Sequence, residues 1–101
     1  MIKNNYQWSL CGDSSVLKGT VYSLESFIKE IIELYSSDEV KFVFIDRKEN
    51  DETGDTFSIH FVEGEATHEY ECGATPKDVA QFLDNLAQEK QRHHKFEINK
   101  I

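Results

Sequence analysis

The stretch FSIHFVEGEATHEYEC, residues 57–72, decides the fold, because its side chains alternate in two runs on either side of a glycine. Phe57, Ile59 and Phe61 alternate with Ser58, His60 and Val62, the period-two pattern of a strand with one apolar face. Beyond Gly64-Glu65, Thr67, Glu69 and Glu71 alternate with His68, Tyr70 and Cys72. A two-residue turn at Gly64-Glu65 uses the positive φ that glycine adopts freely. It sets Phe61 opposite His68, Ile59 opposite Tyr70 and Phe57 opposite Cys72 on one face. Val62 with Thr67, His60 with Glu69 and Ser58 with Glu71 share the other. A three-residue loop would put Ile59 against Glu69 and Phe57 against Glu71, which the cost of burying a carboxylate opposes. The two-residue register is the prediction.

Two amphipathic helices flank this hairpin. Leu24, Phe27, Ile28, Ile31, Ile32 and Tyr35 fall on one helical stripe, with Ser23 as N-cap and Ser36-Ser37-Asp38 offering side-chain bonds that end the helix. Thr75 as N-cap, Pro76 at the first helical position and Asp78 at the third start a second helix, to about residue 91. Val79, Phe82, Leu83, Leu86 and Ala87 form its buried stripe. The short apolar run 40–45 reads as an inner strand. Tyr6, Trp8 and Leu10 alternate in an N-terminal strand, Gly12-Asp13-Ser14-Ser15 reads as a turn, and residues 16–22 return as a second strand. Phe96, Ile98 and Ile101 fit either a short edge strand or a fraying basic tail over 92–101, and Lys95 and Lys100 suit an edge that must not aggregate. The expected fold class is α+β: one domain of 101 residues with a mainly antiparallel sheet of about five strands, two helices on one face, and the order ββαβββα.

Charge is distributed unevenly. Eleven of the 19 acidic residues, against three of the 11 basic ones, lie in residues 38–71, so this third holds the whole formal charge of −8. Residues 90–101 are basic, with Lys90, Arg92, Lys95 and Lys100 against Glu97. No apolar run approaches the roughly 20 residues of a membrane-spanning helix, and no apolar segment follows Lys3 as a secretion signal requires. A soluble, cytoplasmic protein is expected.

Catalytic signatures are missing: the chain has no phosphate loop, no G-x-G-x-x-G, no G-x-S-x-G and no H-E-x-x-H. Cys11 and Cys72 read more simply as small half-buried side chains than as a thiol site, and a bond between them does not suit a reducing cytosol. His60, Glu69 and Glu71 share one face, but without metal-ligand spacing they read as a cross-strand charge pair. The loop 46–55 fails the EF-hand pattern at Lys48, Asp51 and Phe57, and reads as a solvated, mobile connection. No cofactor, no metal and no enzymatic activity are expected.

The order helix, three strands, helix resembles that of double-stranded RNA-binding domains. Those domains share a lysine cluster at the start of the last helix, where Thr75-Pro76-Lys77-Asp78 offers one lysine beside an aspartate, so the likeness is one of element order. A strongly acidic surface disfavours direct binding of nucleic acid, whose phosphates need neutralising Lys and Arg.

Binding to a basic protein remains. The candidate partner-binding residues are Asp46, Glu49, Asp51, Glu52, Asp55, His60, Glu63, Glu65, Glu69 and Glu71, with Val43 and Ile45 as apolar centre beside Val62. The expected role is a small inhibitor of a basic, nucleic-acid-binding cleft, as a toxin immunity protein is for a nuclease. A phage-type anti-defence protein imitating the charge of DNA uses the same physics. A homodimeric structural or regulatory domain is the third reading.

Overall fold

The computed structural model describes residues 4–101. Its elements are β1 (Tyr6–Gly12), β2 (Ser15–Val21), α1 (Leu24–Tyr35), β3 (Val40–Lys48), β4 (Thr56–Glu63), β5 (Ala66–Gly73), α2 (Pro76–Glu89) and β6 (Lys95–Lys100). The α+β class holds, but the single sheet does not. Two antiparallel sheets of three strands form, in the orders β2-β1-β6 and β3-β4-β5. The cause lies in the last strand. Phe96 and Ile98 are buried and pair with Leu10 and Trp8, so β6 takes the free side of β1 and the N-terminal hairpin has no edge left on β1 to offer an edge of the β3-β4-β5 sheet.

The helices consequently serve both sheets and do not simply cover one face of a single sheet. On α1, Phe27 is fully buried and its ring lies 5.1 Å from that of Trp8 and 6.1 Å from that of Phe96. On α2, Phe82 meets Tyr70 of β5 edge-on at 5.4 Å, and Asp84 accepts the Phe96 backbone N–H at 2.7 Å. One apolar core therefore takes side chains from both helices and both sheets.

Local signals act as read. Ser23 Oγ accepts the Ser26 N–H, Thr75 Oγ1 accepts the Asp78 N–H, and the Ser36 hydroxyl donates to the Ile32 carbonyl at 2.7 Å as α1 ends. The β4–β5 register is the predicted one at every pair, and Gly64 has φ +60°. The strand over residues 40–45 differs. It runs on to Lys48 and lies at a sheet edge, with a bulge between Phe42, opposite Phe61, and Phe44, opposite His60. A bulge bends an edge strand and obstructs the addition of a further strand.

The β1–β2 turn carries a local cost. Asp13 and Ser14 stand at φ +50° and +67° between paired Gly12 and Ser15, the two left-handed positions of a tight hairpin turn. Serine there bears a Cβ penalty that glycine escapes. Ser14→Gly is expected to raise stability by about 0.5–1 kcal/mol, read as a higher urea midpoint at unchanged slope; a lower midpoint would contradict the turn assignment.

Candidate protein-binding face

Strand alternation divides the β3-β4-β5 sheet cleanly. Phe57, Ile59 and Phe61 point into the core, so Ser58, His60 and Val62 point out. Across the outward face the bulged register aligns Lys41, Val62 and Thr67; then Phe44, His60 and Glu69; then Asp46, Ser58 and Glu71. The middle row holds the only aromatic pair of this face among the described residues: the Phe44 ring lies edge-on 5.3 Å from the His60 ring and is 40% exposed. His60 Nδ1 lies 3.6 Å from Glu69 Oε1, the cross-strand pair expected of that register. Phe44, His60, Asp46, Glu69 and Glu71 border a shallow concavity of about 410 Å³.

The bulge redistributes the expected apolar centre. Ile45 pairs with Ile59 and packs against the core, so it does not share the face of Glu69 and Glu71. Val43 is the unpaired bulge residue and is 54% exposed. Phe44 takes the outward place instead. The N-terminal hairpin does not cover this face, because Trp8 packs on Phe27 in the other sheet's layer.

The loop 49–55 is solvated, as expected, and is tied by local hydrogen bonds. Arg47 grips Asp55 through Nε at 3.1 Å and Nη2 at 2.8 Å, and this contact holds the Asp55 carboxyl below its usual range. Asn50 Oδ1 accepts the backbone N–H of Glu52 and of Thr53, and Gly54 closes the turn at φ +88° with its N–H on the Asn50 carbonyl. Glu49, Asp51 and Glu52 are left exposed beside Asp46. Asp55 belongs to the scaffold of the loop.

The eleven carboxylates of this third therefore do not make one patch. Asp46, Glu49, Asp51, Glu52 and Glu71 lie toward the loop end, and Glu69 lies in the middle row. Asp38, Glu39, Glu63 and Glu65 lie at the β4–β5 turn, where the Gly64 N–H donates to the Glu39 carbonyl and Glu65 is exposed. Glu63 faces neither solvent nor the outward face. Its side chain is only 12% exposed, with Lys90 Nζ at 3.4 Å and His68 Nε2 at 3.5 Å. Burial works against its charge, but Ser36, Lys90 and His68 outweigh that and hold the carboxyl below its usual value.

A lowered folded value means that ionised Glu63 contributes stability above the usual carboxylate range and loses it as pH falls through the folded value. Urea midpoints measured from about pH 5 downward should fall steeply for the natural chain and less steeply for Glu63→Gln. Identical acid limbs would overturn the assignment.

Both cysteines are free, and burial, followed by Asp78 and Glu71, pushes the Cys72 thiol up to about 11. Among the described residues no group of three His, Cys, Asp or Glu could hold a metal ion, and no helix is long and apolar enough to cross a membrane. Sequence reasoning passed over Phe44, because the run Phe42-Val43-Phe44-Ile45 gives no sign of the bulge that turns it outward. Comparison with protein families, with characterised proteins and with solved structures finds no significant match to this chain.

Proposed function

We propose that this chain is a small acidic inhibitor, without enzymatic activity of its own, that binds the basic, nucleic-acid-binding cleft of a partner protein. The observation that carries the reading is exposed Phe44, packed edge-on against part-buried His60 in a concavity that Asp46, Glu69 and Glu71 border against the single Lys48, with exposed Glu49, Asp51 and Glu52 in the adjoining loop. An aromatic centre supplies burial on contact, and a charged rim steers a cationic partner, accelerating encounter by about 10–10³-fold in favourable cases. Toxin immunity and imitation of DNA by a phage-type anti-defence protein both use this surface. The neighbouring gene separates them: a toxin gene supports the first, a phage early region the second.

The test is capture on the immobilised chain from its native host with elution by a salt gradient. The eluted protein should bind DNA or RNA and lose that activity when the chain is added back. A chain carrying Asp46→Lys, Glu69→Lys and Glu71→Lys together should neither retain nor inhibit it. Retention by this triple variant equal to that of the natural chain would reject the face.

A homodimer is the second reading, favoured by the open edge of β2, where Val16 and Leu17 are more than half exposed and Lys18 is the one charge. Sedimentation would show a dimer that Leu17→Lys dissolves.

A further inference from the structure

Beyond the outward face, β5 borders a second feature. Its residues alternate, so while Glu69 and Glu71 face out, His68 and Tyr70 face a recess of about 190 Å³ closed by the C-terminal ends of α1 and α2. The floor is apolar, from Ile32, Phe61 and Leu86, and the charged groups are Glu63, Glu89 and Lys90, with Ser36, His68 and the two tyrosines completing the lining. We propose that this recess receives one arginine side chain of a protein partner, a proposal that rests on the reading of the partner as basic and adds the specific group it inserts.

Charge comes first. Glu63 and Glu89 carry two negative charges against the single positive charge of Lys90, with histidine counted neutral, so one further cation balances the recess. The present contacts are also loose. Lys90 Nζ stands 3.4 Å from each Glu63 oxygen and His68 Nε2 3.5 Å from one of them, whereas close charge-assisted bonds lie near 2.7–2.9 Å. His68 Nε2 is buried and has no hydrogen-bond partner. Glu63, held by Ser36 and by the long contacts to Lys90, keeps acceptor capacity that a five-donor guanidinium fork can fill.

Shape favours the planar cation over an ammonium. The Phe61 and His68 rings stack at 4.9 Å and 24°, and the His68 and Tyr70 rings are within 5° of parallel at 6.3 Å. Such a wall offers stacking to a flat guanidinium that a compact, strongly hydrated ammonium cannot use. The Tyr70 hydroxyl donates to Glu89 Oε2 at 3.1 Å and fixes the second carboxylate at the rim. Lys90, the C-cap residue of α2, is one-third exposed and sits at the helix end, so it can swing to solvent as the guanidinium enters. β5 is an edge strand, and a partner that grips it reaches the outward face on one side and this recess on the other.

The probe is Nα-acetyl-arginine amide titrated into the full chain, with the side-chain resonances of His68 and Tyr70 followed by NMR and Nα-acetyl-lysine amide as the counterpart. Saturable shifts are expected at millimolar arginine amide, about 4 kcal/mol of binding, with the lysine probe at least tenfold weaker. Glu89→Gln, at an exposed position that leaves the core untouched, should weaken arginine binding about tenfold, and Glu63→Gln should do the same where that chain remains folded. Equal binding of the two probes, or binding unchanged in Glu89→Gln, overturns the proposal. The salt-gradient capture reports separately on the basic partner: a captured nucleic-acid-binding protein with no arginine-amide binding removes the recess and leaves the inhibitor reading standing.

Discussion

Phe27→Ala is expected to lower the stability of the chain by about 3–5 kcal/mol, the usual cost of emptying a buried phenylalanine site. Single domains hold only about 5–15 kcal/mol in all, so this change brings the chain close to unfolding at room temperature. The size follows from position. Phe27 is fully buried, and its ring touches Trp8 of β1 at 5.1 Å and Phe96 of β6 at 6.1 Å. It is the point at which α1 holds the β2-β1-β6 sheet, and the cavity is walled by aromatic rings of β1 and β6, so it closes poorly. Urea unfolding followed by Trp8 fluorescence measures the loss at the contact itself, since Trp8 is the one tryptophan of the chain. Leu34→Ala, on the same helix but 63% exposed, should stay within about 0.5 kcal/mol and serves as the control. A loss below about 1 kcal/mol at Phe27 would mean that α1 does not bind this sheet.

The same residue shows what the sequence could convey. Helical spacing placed Phe27 on the buried stripe, alternation and a glycine turn set every pair of the β4–β5 hairpin, and Thr75-Pro76 marked the start of α2. Each of these is settled by neighbours a few residues away. The division into two sheets is not: it depends on β6 finding β1 about ninety residues earlier, and Phe96 and Ile98 read alone as an edge or a frayed end. The bulge at Val43 is likewise a tertiary choice. An unbulged β3 would turn Phe44 inward beside Phe42, and Ile45 outward to water.

The site was legible to a similar degree. His60, Glu69 and Glu71 share a face because register alone puts them there. Glu63 and Asp55 look identical to their acidic neighbours in sequence, yet one is held by Lys90 from the end of α2 and the other by Arg47 across the loop. Counting charges along the chain cannot separate a free carboxylate from one already engaged. The effective negative surface is therefore smaller than the composition implies, and it lies at one end of the β3-β4-β5 sheet.

That smaller surface makes a kinetic prediction. Converting Glu49, Asp51 and Glu52 together to lysine, two charges at each position, moves the formal charge from −8 to −2 while sparing Asp55 and the loop scaffold it forms with Arg47. Association with the captured partner should slow by about 10–10³-fold at low salt, the range over which steering acts. The dissociation rate should change far less, because these side chains stand at the rim and remain hydrated. The loss should shrink as ionic strength rises from about 0.01 M to 1 M, where the screening length falls from roughly 30 Å to 3 Å. Phe44→Ala should behave in the opposite way: little change in association, faster dissociation, and a cost of about 2 kcal/mol or more as expected of a buried aromatic anchor. Stopped-flow mixing across the salt series measures both rates. The decisive control carries Glu30→Lys, Glu33→Lys and Glu97→Lys, exposed positions away from the acidic loop with the same total change in charge. If this control slows association as much as the loop variant does, steering comes from net charge alone, and neither Glu49, Asp51 and Glu52 nor the face beside them directs the partner.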